Sequence, residues 1–164
     1  GTDRCAKAIE LIDGDVFVNI QGDEPLLNPD AIDTLVEQFD KSIGIGNAYV
    51  YVNDNYKLHD SNVVKVVTDI TNNAVYYSRF GIPFHKKEEV PFKQQLGLYA
   101  FNRHMLELFI ELEVGELEKA ESVEMLRYIE NGFAVKMIEV EDHGLSVDTH
   151  EDLERVEEFL NAYN

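Results

Sequence analysis

Apolar residues in this chain occur both in short continuous runs and at helical spacing. The run DVFVNI at residues 15–20 predicts a buried strand, because its β-branched and aromatic residues are almost unbroken. After the turn QGDEP at residues 21–25, Asn28 suits a helix N-cap and Pro29 suits the first helical position, and apolar residues recur at positions 32, 35, 36 and 39. The acidic turn therefore joins a strand to a helix.

The same patterns predict the remaining elements. Further strands are expected at residues 45–52, 62–69, 74–78, 96–101 and 133–140. Helices are expected from the start through Ile12, over residues 104–113 and 116–130, and after Thr149, where Asp152 stands at the capping-box position. The turn TNN at residues 71–73 joins two strands into a β-hairpin. Alternating strands and helices favour one α/β domain over residues 1–164, with a mixed, mostly parallel sheet and an inserted hairpin.

Composition and charge restrict the classes of molecule that the chain can bind. The chain has 164 residues, 45% of them hydrophobic, which suits one domain with a packed core. Its 14 Lys and Arg against 32 Asp and Glu give a formal net charge of -18, which repels nucleic acids and anionic membrane surfaces and attracts metal cations. No apolar run approaches the roughly 18 residues of a membrane span, and the one cysteine, Cys5, has no second cysteine to pair with. We expect a cytoplasmic protein that binds no nucleic acid and does not insert into a membrane.

Two aspartates follow strand-like segments and could share one metal site. In open α/β sheets ligands bind beyond the carboxyl ends of strands, where Asp23 of the acidic turn is expected, beside Gly22, which would allow close backbone approach. Asp148 stands in the same position relative to its own segment, before the cap Thr149. Two carboxylates without a His or Cys cluster suit Mg²⁺ better than zinc. The alternatives are a polar surface turn at Asp23 and a helix-terminal charge at Asp148.

Other charged residues have two interpretations. Arg79 follows a strand, where its guanidinium could bind a carboxylate or phosphate with two hydrogen bonds or form a surface ion pair. Glu118, Glu121, Glu124 and Arg127 recur every three residues, a spacing that predicts a solvated, salt-bridged stripe on a helix. The histidines show no metal-ligand spacing.

Short motifs occur in a fixed order along nearly the whole chain and resemble one family. They are GTDR at 1–4, QGDEP at 21–25, VKVV at 64–67, YSRFGIP at 77–83, LGLY at 96–99, LEKAESVEMLR at 117–127 and VDTHEDL at 147–153. Together they resemble the 3-deoxy-manno-octulosonate cytidylyltransferases, which make CMP-Kdo for bacterial lipopolysaccharide. The resemblance implies a Rossmann-like nucleotidyltransferase fold whose inserted hairpin takes part in a homodimer.

The resemblance also implies a reaction and roles for individual residues. The anomeric hydroxyl of a 3-deoxy ulosonic acid such as Kdo would attack the α-phosphorus of CTP, with Mg²⁺ required and pyrophosphate released. Asp23 and Asp148 are similar to the family's catalytic metal ligands. Residues implied on the sugar side are Gln21, Arg79, Gln95, Tyr99, Glu121 and Glu124, and those implied on the nucleotide side are Thr2, Arg4 and Gly22.

The sequence departs from the family pattern in three places. The family begins with a strand and a basic, glycine-containing phosphate loop, and nothing corresponding precedes Gly1. We therefore expect an N-terminal segment to be missing and these 164 residues alone to be inactive. Gln95 replaces the family's His and Met125 its Gln, so the exact sugar is open. The alternative functions are a CMP-sialic or nonulosonic acid synthetase and a non-catalytic, dimerising fragment.

Overall fold

A central antiparallel strand organises the computed structural model, which describes residues 1–84, 86, 90–142, 146–147 and 149–162. The elements in chain order are α1 (Thr2–Ala8), β1 (Phe17–Ile20), α2 (Pro29–Glu37), β2 (Ile45–Val52), α3 (Asn55–His59), β3 (Lys65–Thr68), β4 (Ala74–Ser78), β5 (Phe92–Phe101), α4 (Arg103–Glu111), α5 (Glu116–Glu121), α6 (Met125–Glu130), β6 (Lys136–Glu139) and α7 (His150–Ala162). The strands form one sheet in the order β4-β3-β5-β2-β6, and β1 pairs with β5. The predicted α/β class and mixed sheet are confirmed.

The expected strand direction is wrong for most of the described sheet. Only the β2–β6 pair is parallel among the described strand pairs. β5 runs antiparallel to β1, β2 and β3, and β3 runs antiparallel to β4. The reason is that β5 enters the middle of the sheet after the β3–β4 hairpin and runs against all of its neighbours. Apolar periodicity reports which face of a strand is buried and carries no information on its direction.

The sheet separates two apolar clusters. Tyr99 and Phe101 of β5 pack on one face in the larger cluster, with residues of α1, α4 and α6. Leu98 and Ala100 alternate to the opposite face and pack with Leu35 of α2. Because successive side chains of a strand point to opposite faces, β5 contributes to both halves of the core and is buried between them.

Local sequence signals predicted several elements correctly. β2 and β4 have the expected bounds, and β3 and β4 form the expected hairpin. The Asn28 side chain caps α2 by accepting a hydrogen bond of 3.1 Å from the Asp30 N–H. The capping box of α7 is present, because the Thr149 N–H donates to Asp152 and the Asp152 N–H donates to Thr149 Oγ1.

Three helical segments differ from expectation. The first helix, expected through Ile12, ends at Ala8. The helix expected over residues 116–130 is divided into α5 and α6, because Ser122 has a left-handed backbone with φ 53°. The short helix α3, capped by Asp54, lies in a segment for which no element was predicted. Among the helices that the structure describes, none is both long and apolar enough to cross a membrane.

Candidate functional site

An irregularity in β5 lies where Gln95, Tyr99 and the acidic turn 21–25 come together. Asn47 of β2 lies opposite Tyr99, and Tyr49 lies opposite Gln95, so β5 has two extra residues between these pairs. Residues 96–98 therefore form a bulge in β5. On its other edge β5 pairs with β3 before the bulge and with β1 after it. The bulge thus faces the gap between β1 and β3, and this gap is the candidate site.

The acidic turn 21–25 is attached to the bulge at Gly97. The Gln21 N–H donates to the Gly97 carbonyl (2.8 Å), and the Gly97 N–H donates to Glu24 Oε1 (3.2 Å). A Cβ atom at position 97 would lie 2.8 Å from Gln21 Oε1 and 3.0 Å from Gln21 Cβ, closer than side-chain atoms pack. A side chain at position 97 would therefore displace the Gln21 side chain from its place against the strand.

One carboxylate oxygen of Asp23 has no hydrogen-bond partner among the described residues. Its Oδ1 is buried and accepts no hydrogen bond within the described structure. The Val147 N–H donates to the Asp23 carbonyl (2.8 Å), which brings the segment before Asp148 to the acidic turn. Asp148 itself lies outside the described residues. The pairing of the two aspartates at a metal therefore stays a prediction.

The donor set of the turn fits a hard cation. A buried carboxylate oxygen without a donor is destabilised unless a cation or another donor reaches it, and carboxylate oxygens are the ligands that Mg²⁺ takes. Within the described ranges, no group of three or more His, Cys, Asp or Glu side chains could hold a metal.

Gln95 and Tyr99 flank the bulge and are bonded to each other. Gln95 Nε2 donates to the Tyr99 hydroxyl (2.8 Å) and to the Leu96 carbonyl. Tyr99 is only 4% exposed, and this burial raises the pKa of its hydroxyl, with the negative charges of Glu124, Asp23 and Glu24 acting in the same direction. Tyr99 is therefore a neutral phenol at physiological pH.

Arg79 is held by Glu121 and by main-chain carbonyls. The Glu121 carboxylate accepts the Arg79 N–H (2.8 Å), the Ser78 hydroxyl (2.8 Å) and the Tyr76 hydroxyl (3.1 Å). The Arg79 guanidinium donates to the carbonyls of Glu121 (2.7 Å) and Ser61 (2.8 Å). Burial raises the pKa of Glu121, but the three donated hydrogen bonds and the charge of Arg79 outweigh it and lower the pKa overall. Arg79 makes no ion pair closer than 4.0 Å in the described part of the chain.

The Lys65 side chain binds three main-chain carbonyls, among them that of Arg79. Its side chain is fully buried, and its ammonium group donates to the carbonyls of Asp60 (2.8 Å), Val63 (2.8 Å) and Arg79 (2.5 Å). Three carbonyl acceptors match the three N–H donors of an ammonium group. Burial lowers the pKa of Lys65, and the nearby Asp60 and Glu121 charges oppose that shift.

The residues expected on the nucleotide side lie at the start of the chain. The Glu124 carboxylate accepts the Thr2 N–H (3.1 Å) and the Thr2 hydroxyl (2.6 Å), which connects α1 to α6. Arg4 is exposed on α1. Gly22 is exposed in the acidic turn, and a Cβ there would meet no atom within 4 Å. The roles expected for these residues toward a nucleotide stay predictions.

The solvated stripe predicted for Glu118, Glu121, Glu124 and Arg127 is wrong, because two of the four are buried. Glu118 and Arg127 are 8% and 6% exposed and form two parallel hydrogen bonds of 2.6 and 2.7 Å. The guanidinium carbon of Arg127 also lies 3.8 Å from the ring centroid of Phe109. The left-handed Ser122 turns the helix between these residues, so they do not share one solvent-facing row.

Sequence reasoning missed two buried polar residues that support the site. They are Lys65, in the motif VKVV, and Asn47, in the strand predicted at residues 45–52, and the sequence pattern gives neither a role. The available signal was a single polar residue within an otherwise apolar or β-branched strand, because a buried polar group is stable only when it is hydrogen-bonded.

Comparison with known proteins places the chain in a family. A family model described as cytidylyltransferase matches residues 1–161. The 3-deoxy-manno-octulosonate cytidylyltransferase of Solibacter usitatus is 41% identical, with 99% of this chain and 66% of that protein aligned. That of Chlorobaculum parvum is 40% identical, with 95% of this chain and 66% of that protein aligned. The chain thus spans just under two thirds of the length of these relatives.

A solved structure shows the same arrangement of elements. CMP:2-keto-3-deoxy-manno-octonic acid synthetase complexed with CTP matches with a TM-score of 0.90 and 29% identity, over 99% of this chain and 68% of that one. The expected Rossmann-like nucleotidyltransferase fold is confirmed. The motifs that suggested the resemblance are spread over the residues that the family model matches, and the chain belongs to the cytidylyltransferase family.

Proposed function

We propose that the protein transfers CMP from CTP to a 3-deoxy ulosonic sugar acid, Kdo or a close relative, and releases pyrophosphate. The relatives named 3-deoxy-manno-octulosonate cytidylyltransferase support the reaction class. The observation that carries the proposal is the hydrogen bond from the Val147 N–H to the Asp23 carbonyl, which holds residue 147, directly before Asp148 in the sequence, against the acidic turn. The proposal includes a cytoplasmic homodimer whose hairpin lies in the interface.

The chain's own residues would bind and orient the two substrates. Asp23 and Asp148 would hold Mg²⁺, which when bound neutralises the triphosphate and polarises the α-phosphate. Gln21 and Arg79 would contact the sugar acid, Arg79 through the guanidinium edge that its carbonyl partners leave available. Gln21 and Arg79 would then hold the sugar's reacting oxygen in line with the α-phosphorus. Such positioning lowers the activation barrier of the transfer.

The remaining site residues divide between the substrates. Gln95 and the neutral Tyr99 hydroxyl would hydrogen-bond sugar hydroxyl groups, and Glu121 and Glu124 would complete the sugar side. Thr2, Arg4 and Gly22 would lie by the nucleotide. Gln95 and Tyr99 flank the bulge at Gly97, and the charge of Glu124, which binds Thr2, acts on the Tyr99 hydroxyl, which supports placing these residues in one site.

The test is pyrophosphate release by the complete protein with CTP, Mg²⁺ and Kdo. Loss of a metal ligand removes several kcal/mol of transition-state stabilisation, so Asp23→Asn should lower kcat by about 100-fold or more. Asp33→Asn removes the same charge from an exposed position on α2 and should leave kcat unchanged. If Asp23→Asn retains wild-type turnover, or if the wild-type protein releases no pyrophosphate with any ulosonic acid, the proposal is wrong.

A further inference from the structure

An asparagine is buried in β2, on the edge of β5 opposite the candidate site. Asn47 of β2 is 0% exposed and lies at the point where the β2–β5 register shifts. A polar side chain at such a position costs stability unless all of its donors and acceptors are used. Its hydrogen bonds therefore indicate what it does.

Asn47 satisfies the carbonyl groups that the bulge removes from the β2–β5 ladder. Its Nδ2 donates to the carbonyls of Leu96 and Leu98, each at 3.0 Å. The hydroxyl of Tyr77, a fully buried residue of β4, lies 3.0 Å from Asn47 Oδ1 and 2.9 Å from Met137 Sδ. An amide oxygen is a much stronger acceptor than a thioether, so the hydroxyl donates to Asn47. This bond fixes the amide with its NH₂ group toward β5.

The polar backbone groups of the bulge thus bind two different partners, one on each edge of β5. The carbonyls of Leu96 and Leu98 bind Asn47 on the β2 side. The N–H and carbonyl of Gly97 bind the acidic turn on the other side. Each buried backbone group needs a partner, so the Asn47 amide replaces the ladder bonds that an irregular strand loses.

We propose that Asn47, oriented by Tyr77, is a positioning residue that holds the β5 bulge in the shape the site requires. The bulge separates Gln95 from Tyr99 and presents Gly97 to the acidic turn. Asn47 acts on the substrate only through these residues. The effect expected on substrates rests on the proposed function, but the effect on the bulge does not.

Two variants test the proposal in different ways. Asn47→Asp keeps the size of the side chain but replaces its donor by a second acceptor, which repels the carbonyls of Leu96 and Leu98. Tyr77→Phe leaves Asn47 in place and removes only the hydroxyl that orients it. The matched control is Tyr128→Phe, because Tyr128 is equally buried in the same cluster and its hydroxyl donates to the Met105 carbonyl (2.7 Å), away from the bulge.

The first readout is amide hydrogen exchange at Gly97 in the complete protein, followed by NMR. Loss of one net hydrogen bond corresponds to about a tenfold change in an opening equilibrium. Tyr77→Phe should speed exchange at Gly97 about tenfold relative to amides of α2, which packs on the opposite face of the sheet from Tyr77 and Tyr128, and Tyr128→Phe should leave that ratio unchanged. An unchanged ratio in Tyr77→Phe would overturn the proposal even if Asn47→Asp fails to fold.

The second readout separates the substrates. Because Gln95 and Tyr99 belong to the proposed sugar side, Tyr77→Phe should raise KM for the sugar acid about 10- to 100-fold, the effect of a small misplacement, with little change in KM for CTP. Equal changes in both constants, or an effect matched by Tyr128→Phe, would show a general loss of structure and overturn the positioning role. If the wild-type protein has no transferase activity, the proposed function fails while the exchange measurement still decides the role of Asn47.

Discussion

Three glutamates with one sequence spacing have three different environments. Glu118 is buried against Arg127, Glu121 accepts three hydrogen bonds around Arg79, and Glu124 accepts two from Thr2. Their shared spacing predicts a common solvated face only if the helix is continuous. The backbone at Ser122 is not helical, so each carboxylate faces a different segment.

The hydrogen bonds to Glu121 predict a pH dependence of stability. The pKa of Glu121 is lower in the folded chain than its usual value of 4.5, so its contribution is fully present above about pH 4.5. It is lost as the pH falls through the folded-state pKa. Glu121→Gln should therefore be less stable at pH 7 and should lose less stability between pH 7 and pH 3, as measured by urea unfolding. Glu111→Gln, exposed at the end of α4, is the control and should follow the wild-type profile.

The two single-residue departures from the family pattern, Gln95 and Met125, should have separable effects. Gln95 bonds Tyr99 at the site, whereas Met125 is 0% exposed in the larger core cluster. If Gln95 binds a sugar hydroxyl as proposed, Gln95→His changes the hydrogen-bond donors there, which corresponds to about 1 to 3 kcal/mol, or tenfold to hundredfold in selectivity. Met125→Gln buries an amide and should cost about 1 to 3 kcal/mol of stability without changing selectivity.

These effects are measured as kcat/KM for Kdo and for amino-substituted and nine-carbon analogues, together with unfolding free energies. If Gln95→His leaves every kcat/KM ratio unchanged, Gln95 does not contribute to selectivity. If Met125→Gln alters the ratios without loss of stability, its side chain reaches the substrate.

At the scale of elements, turns and caps were predictable because their signals are local. Asn28 with Pro29 and Thr149 with Asp152 define helix starts by residue types that satisfy free N–H groups. The division between α5 and α6 was not predictable, because Ser122 has no special preference for a left-handed backbone. The β5 bulge was not predictable either, because the amide that supports it comes from residue 47, on another strand.

The α5–α6 connection depends on the buried ion pair of Glu118 and Arg127. Replacing one partner leaves the other charge buried and unpaired, so Arg127→Met should lower the unfolding free energy by about 3 to 5 kcal/mol. The double change Glu118→Gln with Arg127→Met removes both charges and should recover much of that loss. The measurement is chemical unfolding at pH 7.

A matched surface pair serves as the control for this prediction. Arg155 and Glu151 on α7 form an exposed pair at 3.0 Å, and Arg155→Met should change stability by less than about 1 kcal/mol. Equal losses in the single and double variants of the buried pair would show that the packing of Arg127 on Phe109, and not its charge, stabilises the connection.

At the scale of the whole molecule, the site is made by contacts between residues far apart in sequence. Thr2 bonds Glu124 across 122 positions, and Val147 bonds Asp23. The acidic turn and the segment before Asp148 were recognised separately from their positions after strand-like runs. The two segments come together because of the order of the strands in the sheet. That order cannot be read from any short stretch of the sequence.

The net charge predicts a salt dependence of stability for the whole chain. Because the formal charge is -18, folding brings many negative charges close together. Their mutual repulsion lowers the stability of the folded chain at low ionic strength. Raising NaCl from about 0.01 to 0.1 M shortens the screening length from roughly 30 to 10 Å. The Tm should therefore rise by a few degrees, at about 2 to 4 °C for each kcal/mol recovered. Near pH 4.5, the pI of the sequence, the same salt should have little effect.

Magnesium distinguishes general screening of the negative surface charge from binding at the proposed metal site. At equal ionic strength, MgCl₂ and NaCl screen the surface charge to a similar extent, so any additional rise in Tm with Mg²⁺ reports binding to the folded state. That additional rise should be present in the wild-type chain and in Asp33→Asn but absent in Asp23→Asn, because Asp23, unlike the exposed Asp33, has a buried carboxylate oxygen that no described residue reaches with a hydrogen bond. An equal rise in all three proteins would mean that Mg²⁺ acts on the surface field alone, and Asp23 would then have no special affinity for the cation in the absence of substrate.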